Sequence, residues 1–233
     1  MLKYIIESQD KFNKQRKEYS LYNVPIKVID ELPDNIKVNN IISNIKSKID
    51  KGFLKNIRNI FIGDFEDLNK RNIQAMLKDN SIWVSSNNIK NFLTEKSITN
   101  SIMHEVAHSL EKSFEKSLYS DGKLKNEYNS KKKRLFDTLK HHDYDVFKDL
   151  FFKDNNISEL DDFLYKRVGY DKLAIFVNGL FLTPYSVTTL REYFASGFQA
   201  FFSNDRDYLR YISPILYSKI YELVKEINNE NRY

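Results

Sequence analysis

Ser97-Ile98-Thr99-Asn100-Ser101-Ile102-Met103-His104-Glu105-Val106-Ala107-His108-Ser109-Leu110 is the stretch on which the reading of this chain turns. Ile98, Ile102, Val106, Leu110 and then Phe114 recur every four positions, so residues from about Ser97 to Leu118 are predicted to form one long amphipathic helix ended by Asp121-Gly122. Inside it, His104-Glu105-Val106-Ala107-His108 has the spacing H-E-x-x-H. Residues four apart on a helix stand one above the other, so two imidazoles can reach one metal ion while the adjacent Glu105 faces its open side. On a helical wheel both histidines fall away from the apolar arc, which argues against ordinary core histidines. A solvated, metal-free pair is the competing reading.

Composition restricts what can complete such a site. The 233 residues include no cysteine and four histidines, so disulfides, thiolate ligands and cysteine nucleophiles are excluded, and a metal must rest on His, Asp and Glu. The extended pattern with a further Gly and His fails, because Glu111 and Phe114 stand at those positions. His141 and His142 are adjacent in a charged stretch and read as solvated. A carboxylate is left for the third ligand, and Glu192 is the candidate. Leu190, Phe194, Phe198, Phe201 and Phe202 cover one broad side of its helix, and Glu192 shares a narrow polar strip with Ser196 and Gln199. A carboxylate buried on so apolar a helix needs compensation. A bound cation supplies it; a solvent-facing strip or a lysine partner accounts for the residue equally well.

The rest of the chain sets the class. Hydrophobic residues are 41% and charged residues 30%, which excludes wholesale disorder, and no uncharged apolar run approaches the roughly 18 residues of a membrane span. Lys and Arg number 37 against 32 Asp and Glu; the excess of +5 is spread along the chain, so no nucleic-acid partner is expected, although Lys131-Lys132-Lys133-Arg134 is a compact basic run. The N-terminus lacks the apolar core of a secretory signal, so the chain either stays where it is made or is a mature or excised portion of something longer. Oligomeric state cannot be read. Helices are predicted over Lys3–Tyr19, Val38–Lys51, Thr188–Phe202 and Pro214–Ile227, strands over Val24–Ile29, Ile57–Ile62 and Ser81–Ser85, and solvent-facing helices with a modest apolar face over Lys123–Arg167.

The H-E-x-x-H motif, the distant Glu192 followed by Tyr193-Phe194-Ala195, Tyr185 seven residues before it, and the closing amphipathic helix form a pattern. It resembles the catalytic domain of the anthrax lethal factor family of zinc metallopeptidases and its relatives, the Pro-Pro endopeptidases. The resemblance spans about 38–230 and is specific over about 101–111 and 183–202. It implies a mostly helical α+β, zincin-like domain over 38–233, with a small sheet, the H-E-x-x-H helix and a helical C-terminal part. Residues 1–37 would be an N-terminal extension, and a helical insertion at about 119–170 would account for the long separation of His108 and Tyr185. The resemblance further implies Zn²⁺ held by His104, His108 and Glu192, with Glu105 as general base. Tyr185 would stabilise the oxyanion or protonate the leaving group. The strand carrying Trp83, Val84 and Ser85 would be the edge to which an extended, proline-containing protein or peptide substrate adds. A carboxylate that the family carries four residues after its third ligand is Ser196 here, so Glu111 is a candidate to support a histidine instead. The expected function is a zinc-dependent endopeptidase. A catalytically inactive relative that binds a partner protein is the alternative, and a basic nucleic-acid binder the third reading.

Overall fold

Two short hairpins frame the sheet. In the computed structural model, which describes residues 19–87, 93–152 and 157–230, β1 (Tyr19–Leu21) returns through Tyr22-Asn23 into β2 (Val24–Val28) as an antiparallel pair. β2 runs parallel to β3 (Asn59–Gly63), and β3 parallel to β5 (Ser81–Ser85). β4 (Ala75–Lys78) precedes β5 and pairs with it antiparallel. The turn between them is Asp79-Asn80, both at positive φ (51° and 56°), the left-handed pair that a two-residue hairpin between twisted strands demands. The strand order is β1-β2-β3-β5-β4.

Side-chain alternation divides the sheet into two unlike faces. Ile26, Ile60, Ile62, Ile82 and Val84 are all buried and share one face through their register, whereas Lys27, Phe61, Trp83 and Met76 share the other. On that second face Phe61 and Trp83 stack at 4.3 Å. This sheet lies in the first of two units, which runs to Ser109; the second begins at Leu110. The first unit also holds α1 (Val38–Lys46), which buries Val38, Ile41, Ile42 and Ile45, and α2 (Glu66–Arg71). The strand predicted at Val24 is part of this sheet; the helix expected from Lys3 lies outside the described residues.

The helix with the motif, α3, spans Glu95–Glu111. It is shorter than its apolar period suggested: Phe114 leaves helical geometry (φ −114°, ψ 16°) while keeping its ring buried, and a separate helix, α4 (Glu115–Tyr119), follows. Ser120 is the C-cap of this second piece, and the left-handed Gly122 is the N-cap of the helix that follows.

In the second unit α5 (Lys123–His141) packs against α9 (Leu190–Phe201) and α11 (Pro214–Glu230). α5 is the expected exposed helix with an apolar face, burying Leu124, Tyr128, Leu135, Phe136 and Leu139; the departure from expectation is that Lys131 and Lys132 are buried with them. Lys131 is only 6% exposed and donates to the carbonyls of Leu180 and Ile212 (both 2.6 Å) and to Ser213 Oγ (2.8 Å). Two of the four cations in the basic run, Lys131 and Lys132, are thus inside the protein. The unit is completed by α6 (Lys148–Phe152), α7 (Ile157–Phe163), a π-helical turn at Leu164–Val168, α8 (Tyr170–Val177) and α10 (Arg206–Ile212). The molecule is a mostly helical α+β protein with a five-stranded sheet, and among the described residues no helix is long and apolar enough to cross a membrane.

Candidate metal centre

Local chemistry starts α3 where the motif needs it. Thr94 and Ser97 form a reciprocal cap: Ser97 N–H donates to Thr94 Oγ1 (3.0 Å) and Thr94 N–H to Ser97 Oγ (2.9 Å). Glu95 accepts from the Lys37 amide (2.8 Å) and Asn40 Nδ2 (3.0 Å), tying the start of α3 to the start of α1. At the other end Asn56 Nδ2 donates to the Ser109 carbonyl (2.7 Å). Ile98, Ile102, Met103, Val106, Ala107 and Leu110 are buried along the helix. With both ends held and this side sealed, His104 and His108 stand one turn apart with ring centroids 4.9 Å apart and planes at 82°. Glu105 is 6% exposed, a carboxylate withdrawn from bulk water.

Glu192 is placed by its own helix. Thr189 is the N-cap of α9, its hydroxyl accepting from the Glu192 amide (3.0 Å). Two neighbours of Glu192 then lock the first turn. Arg191 Nε donates to Glu111 Oε2 (2.7 Å), while Tyr119 donates to Glu111 Oε1 (2.6 Å). Tyr193, fully buried, donates to Glu127 Oε1 (2.8 Å). Pairing with Glu111 holds the Arg191 guanidinium above its ordinary pKa, and burial, followed by the bond to Glu111, pushes the Tyr119 phenol far upward. Glu111, the residue suggested as support for a histidine, engages Tyr119 and Arg191 with its two oxygens. Nothing in the sequence marked Arg191 for this role, since Glu111 and Arg191 lie 80 positions apart.

The ligand atoms of His104, His108 and Glu192 all lie within 4.8 Å of one another. Donors of one tetrahedral zinc at ~2.0–2.2 Å lie about 3.4 Å apart, so the observed spacing is of the order that a shared ion requires. Two imidazole nitrogens, one carboxylate and no sulfur are a donor set that suits zinc with its fourth position open. His141 and His142 are exposed at the end of α5 and its cap; their rings meet edge to face at 5.7 Å, and His142 lies 4.9 Å from Phe176. This is a His-His-Glu cluster of the kind that supports metal-activated hydrolysis.

Tyr185 sits on a single 3-10 turn, Pro184–Val187, capped by the Thr183 hydroxyl and leading into α9. It is 42% exposed, and its carbonyl accepts from Thr188 N–H (3.1 Å) and Oγ1 (2.8 Å), which fixes the turn. The expectation for Trp83, Val84 and Ser85 needs correction: β5 has β3 on one side and β4 on the other, so it is not an edge strand. The outer position is held by Ala75–Lys78. Its hairpin with β5 was missed because Ala-Met-Leu-Lys has neither β-branched enrichment nor clear alternation. Comparison of the chain with family models, with curated proteins and with solved structures returned no match.

Proposed function

We propose that this protein is a zinc-dependent endopeptidase of the gluzincin type, acting on extended polypeptides. The observation that carries the reading is the convergence of His104, His108 and Glu192 within 4.8 Å, with the H-E-x-x-H glutamate buried beside the histidines. A zinc ion, when bound, would supply a Lewis acid and a water of lowered pKa. Glu105 accepts the proton of the attacking water and delivers it to the departing amine; its seclusion from bulk water favours such a shuttle. The Tyr185 phenol, exposed on the rigid turn ahead of α9, is the donor for the developing oxyanion, a contribution typically worth about 10²- to 10³-fold in rate. The likeness in motif to lethal factor and the Pro-Pro endopeptidases makes proline-containing peptides the first substrates to screen.

The test is a peptide-library digestion with zinc, run beside Glu105→Gln and His108→Ala. The native protein is expected to bind one zinc and cleave. Glu105→Gln retains zinc but loses at least about 10²-fold in rate, whereas His108→Ala loses the metal. A Glu105→Gln protein that cleaves the same peptide as fast as the native one overturns the reading.

A further inference from the structure

Glu192 is the third residue of α9, just past its N-cap Thr189. The first turn of a helix has amides without intrahelical partners and is among the first places to fray. A metal ligand placed there is aimed only as well as the ties that hold the turn. The Thr189 cap fixes the Glu192 backbone, and Tyr193 anchors the next residue to Glu127. The third tie, from Arg191 to Glu111, ends on a different kind of element. Glu111 is the last residue of α3, three positions beyond His108 on the helix that carries both histidines. With Tyr119 and Glu192 it belongs, like Arg191, to the second unit.

Local chemistry alone disfavours a carboxylate at position 111. The C-terminus of a helix is the negative end of its dipole, and burial strips Glu111 of hydration. Tyr119 and Arg191 offset that cost by donating to its two oxygens at 2.6 and 2.7 Å. Arg191 does so through Nε, the guanidinium nitrogen nearest its backbone, so the bond restrains the aliphatic stem as well as the head. Its side chain is nevertheless 65% exposed, and an ion pair so open to water adds only modestly to stability. A cation next to a metal ligand also repels the metal. Solvent and the partner carboxylate screen that repulsion, which leaves the aim of Glu192 as the larger effect. We propose that Arg191 is a positioning residue for the metal centre: clamped through Glu111 and Tyr119, it aims the Glu192 carboxylate at the ion it would share with His104 and His108, and so raises zinc affinity. The proposal deepens the endopeptidase reading and rests on it for the assignment of Glu192 as a ligand.

Zinc dissociation constants are measured by chelator competition on the full-length native protein and on Arg191→Met, with folding checked by circular dichroism. Arg191→Met is expected to weaken zinc binding about 10-fold or more, the size typical of lost support around a metal ligand. Gly197→Ala, a packing change elsewhere on α9, is the control: it should lower the melting temperature and leave zinc affinity as it is. In a Glu192→Ala background, Arg191→Met should change zinc affinity no further, because the group it aims is gone. Zinc held as tightly or more tightly by Arg191→Met, the same loss in Gly197→Ala, or an undiminished effect without Glu192 overturns the proposal. If Arg191→Met weakens zinc as described while the native zinc-loaded protein hydrolyses no peptide, the endopeptidase reading fails and the positioning role stands. If the native protein cleaves and Arg191→Met binds zinc equally well, the positioning role fails and the endopeptidase reading stands. A native protein that binds no zinc overturns both.

Discussion

Glu111 illustrates what a single residue contributes beyond its motif. It lies one turn beyond His108 on α3, buried, with Tyr119 and Arg191 donating to its two oxygens. The Arg191 side chain is 65% exposed, so water screens much of the attraction. Arg191→Met is therefore expected to cost about 1–2 kcal/mol, below the roughly 3–5 kcal/mol of breaking a fully buried pair. Tyr119→Phe should cost about 1–2 kcal/mol, the loss of one hydrogen bond to a charged acceptor. Urea denaturation measures both, and an Arg191→Met protein as stable as the native one would show that the pair contributes nothing. At this scale the sequence was most informative for His104, Glu105 and His108, whose spacing is a property of one helix. It was silent on Arg191 and Tyr119, whose partner is set by the meeting of different helices.

Helix contacts govern the next scale. Gly197 on α9 faces Leu216 on α11, and a Cβ built at 197 would collide with the Leu216 side chain. Because Leu216 is fully buried, it has nowhere to retreat. Gly197→Ala gains about 1 kcal/mol of helix propensity, yet overpacking of about 1–3 kcal/mol is expected to prevail. Its melting temperature should fall; a rise would mean that the two helices separate easily. The start of α11 is held by α5: Glu127 accepts from the Ile215 amide (2.9 Å) and the Leu216 amide (3.1 Å), besides Tyr193. A carboxylate at a helix N-terminus satisfies orphan amides and opposes the helix dipole, so Glu127→Gln should cost about 1–2 kcal/mol, again read by urea denaturation. Long periodic helices were legible in sequence: those predicted over Thr188–Phe202 and Pro214–Ile227 form as α9 (Leu190–Phe201) and α11 (Pro214–Glu230). The break at Phe114 was not, because no glycine or proline announces it and burial of the Phe114 ring decides it.

Over the whole molecule, buried ionisable groups give stability a definite pH dependence. Burial, opposed by Glu127 and reinforced by Arg134, lowers the Lys131 ammonium to about 8, against about 10.4 in an unfolded chain. Between those values the unfolded chain binds the extra proton, so stability rises with pH. Burial first, and then carboxylate neighbours, push the Tyr119 and Tyr170 phenols upward. Above about pH 10 the unfolded chain loses those protons while the folded chain keeps them, and stability falls. The urea midpoint is therefore expected to climb from about pH 8 to about pH 10 and then decline, and Lys131→Met should flatten the rising limb. A midpoint that falls steadily from pH 8 would contradict a lowered Lys131.

By itself the sequence determined the features that depend on local period: the face shared by two imidazoles one turn apart and the amphipathic helices; through the absence of thiols it also pointed to a carboxylate, Glu192, as the histidines' companion. Only the tertiary structure decided that β5 is an interior strand with β4 outside it, and that Lys131 is a buried anchor and not a surface charge. Local features repeat within a few residues and leave their spacing in the chain. Strand order, burial of a cation and the meeting of residues 80 or more positions apart depend on contacts between distant segments, and no local period encodes them.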